Sequence, residues 1–192
     1  MILSLTGPSG VGKTTLMHNL LKVVPHVRPL VSYTTRTARP TDEPGEYSYI
    51  TQEEFDRMAA TGEFLWEASA YVNRYGTRKA DIDAALDDTK TLFMPVLVLS
   101  AVKKLHEYAN ETGRIGSLQS MYIKLDDEAE LRARFAERGD RPEEAEARIV
   151  ECRTWNEQAK NLGVPFIYLD AKEKREDIVA DALAHIKTPS VS

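Results

Sequence analysis

The sequence predicts an α/β fold, an open and mainly parallel sheet with helices on both faces. Two observations predict it. Short apolar runs alternate with longer segments of helical periodicity along most of the 192 residues. In addition, the first apolar run leads into a glycine-rich turn, Gly7-Pro8-Ser9-Gly10-Val11-Gly12-Lys13-Thr14, that opens the first helical pattern.

Those eight positions match the phosphate-binding loop pattern of two spaced glycines, a lysine and a hydroxyl residue. Small residues let consecutive backbone N–H groups turn inward around a polyphosphate, and a helix N-terminus adds its partial positive charge. Lys13 is placed to reach the outer phosphates as a flexible point charge, and the Thr14 hydroxyl to bind a magnesium ion that bridges them. A glycine-rich turn with no ligand gives no reason for Lys13 and Thr14 to occur together. The fold expected is therefore of the P-loop NTPase type, with ligands at the carboxyl ends of its strands.

Composition bounds what else the chain does. Hydrophobic residues at 42% and charged residues at 29% argue against extensive disorder. The length suits one domain with inserts. A net charge of −5 leaves no general basic footprint, so the expected anion is small and nucleic acid is not an expected partner. No apolar run approaches the roughly 20 residues of a membrane span, and the N-terminus enters a strand without a basic segment and cleavage site. The expectation is a cytoplasmic protein with no membrane partner; oligomeric state is not legible. Cys152, the only cysteine, excludes an internal disulfide and a cysteine metal cluster, and its spacing from Ile149 and Trp155 reads as one packed helix face. His18, His26, His106 and His185 lack metal-ligand spacing.

Taken in order, Met1 to Thr6 reads as a buried strand, and Leu16, Leu20 and Leu21 continue the first helix. Pro25 to Pro29 makes a turn before a strand over Leu30 to Thr34. Thr51-Gln52-Glu53-Glu54 is a capping box for a helix with Phe55, Met58 and Ala59 inward, ended by Gly62. Compact extended pieces follow, then a helix over Lys79 to Leu86. Residues 32–89 read as an insert, because their short pieces differ from the alternation around them. That alternation resumes in the apolar run Leu92 to Leu99, where Pro95 is awkward because proline cannot donate to a ladder. A helix over Ala101 to Tyr108, a strand over Ser120 to Leu125 and a helix capped by Asp126 or Asp127 come next. Pro142-Glu143-Glu144 opens a long helix, and a strand over Pro165 to Leu169 and a helix from about Lys172 to Ile186 complete the pattern.

Two arginine groups stand out. Arg36 and Arg39, beside threonines and followed by Tyr47, have the chemistry to converge on one phosphate, since guanidinium binds oxyanions bidentately and a phenol adds a donor. Arginines 132, 134, 138, 141 and 148 surround one helix break, an arrangement that suits a mobile flap closing over a transferring phosphoryl group. Solvated charge pairs account for either group equally well on composition alone.

With these residues set out, the chain resembles the guanylate kinase family along nearly its whole length. The resemblance rests on Gly7 to Thr15, Ser32-Tyr33-Thr34-Thr35-Arg36-Thr37-Ala38-Arg39-Pro40, Tyr47, Gly62-Glu63-Phe64-Leu65, Asn73-Arg74-Tyr75-Gly76-Thr77, and Leu131 to Gly139 with Arg148-Ile149. It implies a core over about residues 1–31 and 90–192, a nucleoside-monophosphate-binding insert over about 32–89 and an arginine-bearing lid over about 136–150. It also implies that Gly7 through Thr15 bind ATP, that Arg36, Arg39, Tyr47 and Tyr75 hold the acceptor's phosphate, and that Ser32 and Thr77 face its base. Lys13, Arg138 and Arg148 would act on the transferring group, with Mg2+ at Thr14. The implied reaction is ATP plus a nucleoside monophosphate, GMP or dGMP first, giving ADP and the diphosphate without a protein nucleophile.

Three departures accompany the resemblance. The family's base-reading glutamate precedes a tryptophan, whereas here the order is Trp66-Glu67, so counting back from Tyr75 puts tryptophan in the glutamate's place. A one-residue swap in a strand turns a side chain to the opposite face, and local slippage of the strand would return Glu67 to the base. The family's pair of acids after the insert aligns with Pro95 and Leu97, and the lid is one residue short. Two alternatives keep the phosphate residues: a kinase for a sugar phosphate such as ribose bisphosphate, and a catalytically silent binding module.

Overall fold

A computed structural model describes the chain apart from positions 41, 43, 71, 138, 140, 172–174 and 187–192. Strand β1 (Ile2–Thr6) is buried at every position, so its side chains face two different layers. Leu3 and Leu5 pack into one cluster with Leu16, Met17 and Leu20 of α1 (Lys13–Val23). Ile2 points the other way, into a cluster with Ile82 and Ala85 of α3 (Lys79–Asp87) and Val102 and Leu105 of α4 (Leu99–Glu111). Full burial of one such side chain contributes about 1.5–3 kcal/mol. Ser4, on the same face as Ile2, is completely buried and is satisfied by Ser120 at 2.6 Å, which in turn bonds His106 of α4 at 2.8 Å.

The central sheet is five-stranded in the order β2-β7-β1-β8-β9. Its members are β2 (Val27–Pro29), β7 (Leu92–Met94), β1, β8 (Leu118–Lys124) and β9 (Ile167–Asp170), and every pairing is parallel. Helices α5 (Glu128–Glu137), α6 (Pro142–Asn161) and α7 (Arg175–His185) cover the face that α1 covers, while α3 and α4 cover the other. Thus the α/β architecture expected from the alternation is the one observed. Asp127 caps α5 by accepting from the N–H groups of Ala129 and Glu130, and Pro142 stands at the start of α6. No helix among the described residues is long and apolar enough to cross a membrane.

A second, four-stranded sheet has the order β4-β3-β6-β5 and lies between residues 32 and 78. It comprises β3 (Ser32–Thr34), β4 (Tyr47–Tyr49), β5 (Phe64–Ala70) and β6 (Asn73–Arg78). Helix α2 (Gln52–Ala60) packs Phe55 and Met58 against Phe64, and its Thr51 cap accepts from the Glu54 N–H at 3.1 Å.

Two expected strands differ. The turn expected over Pro25 to Pro29 instead contains Val27–Pro29, which joins the edge of the central sheet, where a proline leaves no inner ladder position empty, and the strand expected over Leu30 to Thr34 is shortened to Ser32–Thr34, which joins the second sheet. The strand expected over Leu92 to Leu99 pairs only to Met94. Pro95 ends it, its carbonyl accepting from the Leu5 N–H, and Val96 makes one isolated bridge to Leu5 before α4 begins at Leu99. The ladder loses a donor at Pro95, so the regular strand ends there; the Leu97 N–H still reaches the Leu5 carbonyl, and residues 95–98 wall a cavity.

Candidate active site

The phosphate loop runs from β1 into α1 along a path that only glycine permits. A Cβ on Gly7, where φ is +150°, would fall 2.4 Å from the Ile123 carbonyl oxygen, which β8 holds in place. One on Gly10, at φ +83°, would fall 2.5 Å from a ring carbon of Phe135. Gly12 precedes α1 without a side-chain cap, and the helix has no acid in its first turn. The leading N–H groups and positive end of α1 are therefore presented to the hollow of the loop. Lys13 folds back across it, donating from Nζ to the Pro8 carbonyl at 2.7 Å. Burial lowers the Lys13 amine to about 8, with Cys152 and Glu151 offsetting part of the effect. Thr14 and Thr15 are exposed at the mouth. A cradle that a Cβ would fill, an uncapped helix start and a buried amine suit a polyphosphate, and the Thr14 hydroxyl is the oxygen donor that a magnesium ion would take.

Gly7→Ala places a methyl against fixed backbone, so either the loop or β8 must shift. The expected cost is about 2–4 kcal/mol, a fall in Tm of roughly 5–15 °C. A thermal melt checks this, and an unchanged Tm contradicts the packing described for the loop.

Beside the loop lies a cavity of about 500 Å³ bounded by Gly10, Gly12, Thr15, Asn19, Arg134 and Ile178. Arg134 is held at its wall by Glu130 at 2.9 Å and by the Ala171 carbonyl at 2.7 Å. Arg148 sits over the Phe135 ring, 5.6 Å from its centroid. The same ring packs against Gly10, so Phe135 touches both Arg148 and the loop. Arg138 lies outside the described residues. Cys152 is buried, as its helical spacing suggested, with Sγ 3.9 Å from the Ser9 carbonyl oxygen.

Between β3 and β4 of the second sheet, the residues expected to receive an acceptor's phosphate gather around one carboxylate. Arg36 is 7% exposed and donates from both terminal nitrogens to Asp42, at 2.8 and 2.6 Å. The same carboxylate accepts from the Tyr49 hydroxyl at 2.5 Å and from the Arg39 N–H at 2.7 Å. The Arg36 guanidinium lies 4.3 Å from the Tyr47 ring centroid, and Tyr47 meets Tyr75 edge-on at 6.4 Å. Hydrogen bonding to Arg36 above all, aided by Tyr49 and Arg39, holds the Asp42 carboxyl well below the usual carboxylate range. The fork geometry and the converging donors are those that a phosphate takes. Asp42 is a partner of Arg36 that the sequence reading passed over, because nothing in its own turn-rich stretch marks it as one. The Arg39 side chain is exposed.

Ser32, Tyr47, Tyr75 and Thr77 border a cavity of about 270 Å³ between the two sheets. Its opposite wall comes from the segment after β7 and from Met17 of α1, one turn beyond Lys13 and Thr14. The structure thus brings together four of the residues expected to bind an acceptor and joins their cavity to the helix that the phosphate loop opens.

A family model described as guanylate kinase matches residues 1–181. Curated relatives include a guanylate kinase of Thiobacillus denitrificans, 32% identical over 177 residues that cover 91% of this chain and 81% of that protein. Another, from Thermotoga maritima, is 30% identical over 183 residues, covering 95% and 84%. The chain belongs to the guanylate kinase family. A solved guanylate kinase from Anaplasma phagocytophilum shares the fold, with a TM-score of 0.68 at 23% identity over 96% of this chain and 82% of that one.

Against the guanylate kinase pattern, the strand that should present the base-reading acid is where the structure decides most. β5 and β6 are antiparallel, and their register shifts by one residue between Phe64 and Trp66. The bulge lies before Trp66, not between Trp66 and Glu67. Trp66 therefore sits opposite Thr77, and both line the cavity. Glu67 sits opposite Gly76 on the other face, where it binds Arg74 at 2.8 Å. Arg74 also binds Asp56 and lies over the Phe55 ring, which fixes it on that outer face. Slippage does occur, but it does not bring Glu67 to the acceptor cavity; the strand's two-residue period carries its carboxylate to the opposite side. Pro95 and Leu97 both line the cavity, so its wall is apolar at the positions that the guanylate kinase pattern gives to acids.

Proposed function

We propose that this chain catalyses phosphoryl transfer from ATP to GMP or dGMP, producing ADP and the corresponding diphosphate. The observation that carries this reading is the cavity bordered by Ser32, Tyr47, Tyr75 and Thr77 on one side and by Met17 of α1 on the other, with Arg36 stacked on Tyr47 at its edge. An acceptor anchored by its phosphate near Arg36, Tyr47 and Tyr75 then extends toward the triphosphate held by Gly7 through Thr15. In-line transfer needs little covalent chemistry from the protein; it needs two phosphates held end to end and their charge neutralised.

In this reading Lys13 draws charge from the outer phosphates of the donor, and Arg148 approaches the transferring group from beside Phe135. Arg138 is assigned the same task from the lid. Thr14 would hold Mg2+, which would supply positive charge to the phosphates. Arg36 and Arg39 receive the acceptor's phosphate, and for Arg36 this means exchanging the Asp42 carboxylate for a phosphate of the same fork geometry. Ser32 and Thr77 border the base. Glu67, bound to Arg74 on the outer face, has no part in it. The cytoplasm, which holds ATP and nucleoside monophosphates together, is the location such a reaction requires.

A coupled assay of ADP release, with ATP and Mg2+ against GMP, dGMP and ribose bisphosphate, tests the reading. Turnover with GMP or dGMP is expected. Turnover with ribose bisphosphate alone would replace the acceptor class, and none with any acceptor would leave a binding module.

A further inference from the structure

The base end of the acceptor cavity has an unusual chemical make-up for a site that must tell one purine from another. Its walls there are Trp66, Leu97, Pro95 and Ala68, with hydroxyls from Ser32 and Thr77. Among the described residues lining this cavity, Glu46 is the one carboxylate. Its carboxylate is engaged by the Tyr47 phenol, which also bonds Arg36; burial above all, with Glu46 adding to it, pushes that phenol up to about 12. Trp66 is 5% exposed and packs in the cluster that contains Leu30, Ile82 and Leu97, so its indole is a fixed wall rather than a mobile cover.

Guanine differs from adenine in where its edge donates and accepts. Guanine has N1–H and 2-amino donors beside a 6-oxo acceptor, whereas adenine has an N1 acceptor beside a 6-amino donor. A carboxylate only accepts, so it rewards the first edge and repels the second. A hydroxyl does either by rotating its proton, and an aromatic face stacks on either ring. Polar discrimination reaches several orders of magnitude only where a buried, single-role partner is left unpaired by the wrong ligand. The hydroxyls of Ser32 and Thr77 and the face of the Trp66 ring impose no such penalty.

We infer that Trp66 makes this a permissive base subsite: the cavity takes purine nucleoside monophosphates by their phosphate and by apolar contact with the ring, and does not select guanine strongly. The inference rests on the proposed assignment of this cavity to the acceptor. It names Trp66 as the residue that sets selectivity, by occupying with an apolar ring the face that Glu67 leaves.

The test compares kcat/KM for GMP, IMP and AMP with saturating ATP and Mg2+, and pairs it with binding. Values within about tenfold of one another are expected; a GMP preference of about 10³ or more over AMP, the scale of polar selection, overturns the inference while leaving the kinase reading intact. The chain has two tryptophans, so a Trp155→Phe variant reports Trp66 alone. Its fluorescence should be quenched by GMP and by AMP with Kd values within about tenfold. Quenching by GMP only, or by neither, overturns the inference. Quenching by both without any turnover overturns the kinase reading and leaves the permissive subsite standing. Trp66→Glu, if folded by circular dichroism, should raise the GMP-to-AMP ratio at least about tenfold, and an unchanged ratio in the folded variant removes Trp66 from the role. Should that variant not fold, the wild-type ratio and the Trp155→Phe titration decide.

Discussion

Replacing Lys13 by alanine is expected to lower kcat/KM for ATP by about 10³-fold, since it removes the positive charge that meets the triphosphate inside a buried hollow. The loss should fall on kcat as well as KM, because charge at the outer phosphates grows as the phosphoryl group departs. A pH profile separates this from a folding defect. In the free protein the amine is lowered to about 8 by burial. The protonated form is the one that attracts phosphate, so wild-type kcat/KM for ATP should be flat below that value and fall as pH rises through it. The variant should lack that alkaline limb. A profile with no descending limb near 8 in the wild type would contradict the placement of Lys13, whose Nζ lies 2.7 Å from the Pro8 carbonyl rather than in open water.

The second large effect is expected at Arg36. Arg36→Ala removes a two-pronged, charge-assisted contact of about 3–4 kcal/mol, hence about 10²–10³-fold in kcat/KM for the acceptor. Steady-state kinetics should show the change in the acceptor's KM, with the KM for ATP little altered, because the loop from Gly7 to Thr15 is built on β1 and α1 while Arg36 is held by Asp42 beside the second sheet. Arg36→Lys keeps the charge and loses the fork, so its activity should lie between the two. Equal loss in both variants would mean that geometry rather than charge dominates. Arg36→Ala also strips Asp42 of its main partner, but Asp42 keeps the Tyr49 hydroxyl and the Arg39 N–H, so a folded variant with a local change is expected. A rise in the KM for ATP equal to that for the acceptor would remove Arg36 from the acceptor site.

These two residues were legible before any coordinates for different reasons. Lys13 belongs to a motif whose spacing is a local geometric requirement: three glycines, an amine and a hydroxyl along one turn into a helix. Arg36 was suggestive only in company, beside threonines and a tyrosine, and its neighbours in space, Tyr47 and Asp42, arrive along separate stretches of the second sheet. Helix starts were equally legible, because a cap is a matter of a few consecutive residues; Thr51 with Glu54 and Pro142 at the start of α6 are examples.

What the sequence by itself determined is therefore the set of local devices: the alternation that makes an α/β sheet, the phosphate loop, the caps and the presence of paired arginines. What only the tertiary structure decided is which side chains meet. The single-residue bulge before Trp66 turned an indole toward the acceptor cavity and Glu67 toward Arg74. Pro95 ended the regular pairing of β7 at Met94, and Leu97 beyond it became part of a cavity wall. Phe135 of α5 came to lie between Gly10 of the loop and Arg148 of α6, touching both. Each depends on pairing between strands or helices distant in the chain, and in a strand of period two a shift of one residue exchanges the buried face for the exposed one, which no local pattern of residue types encodes.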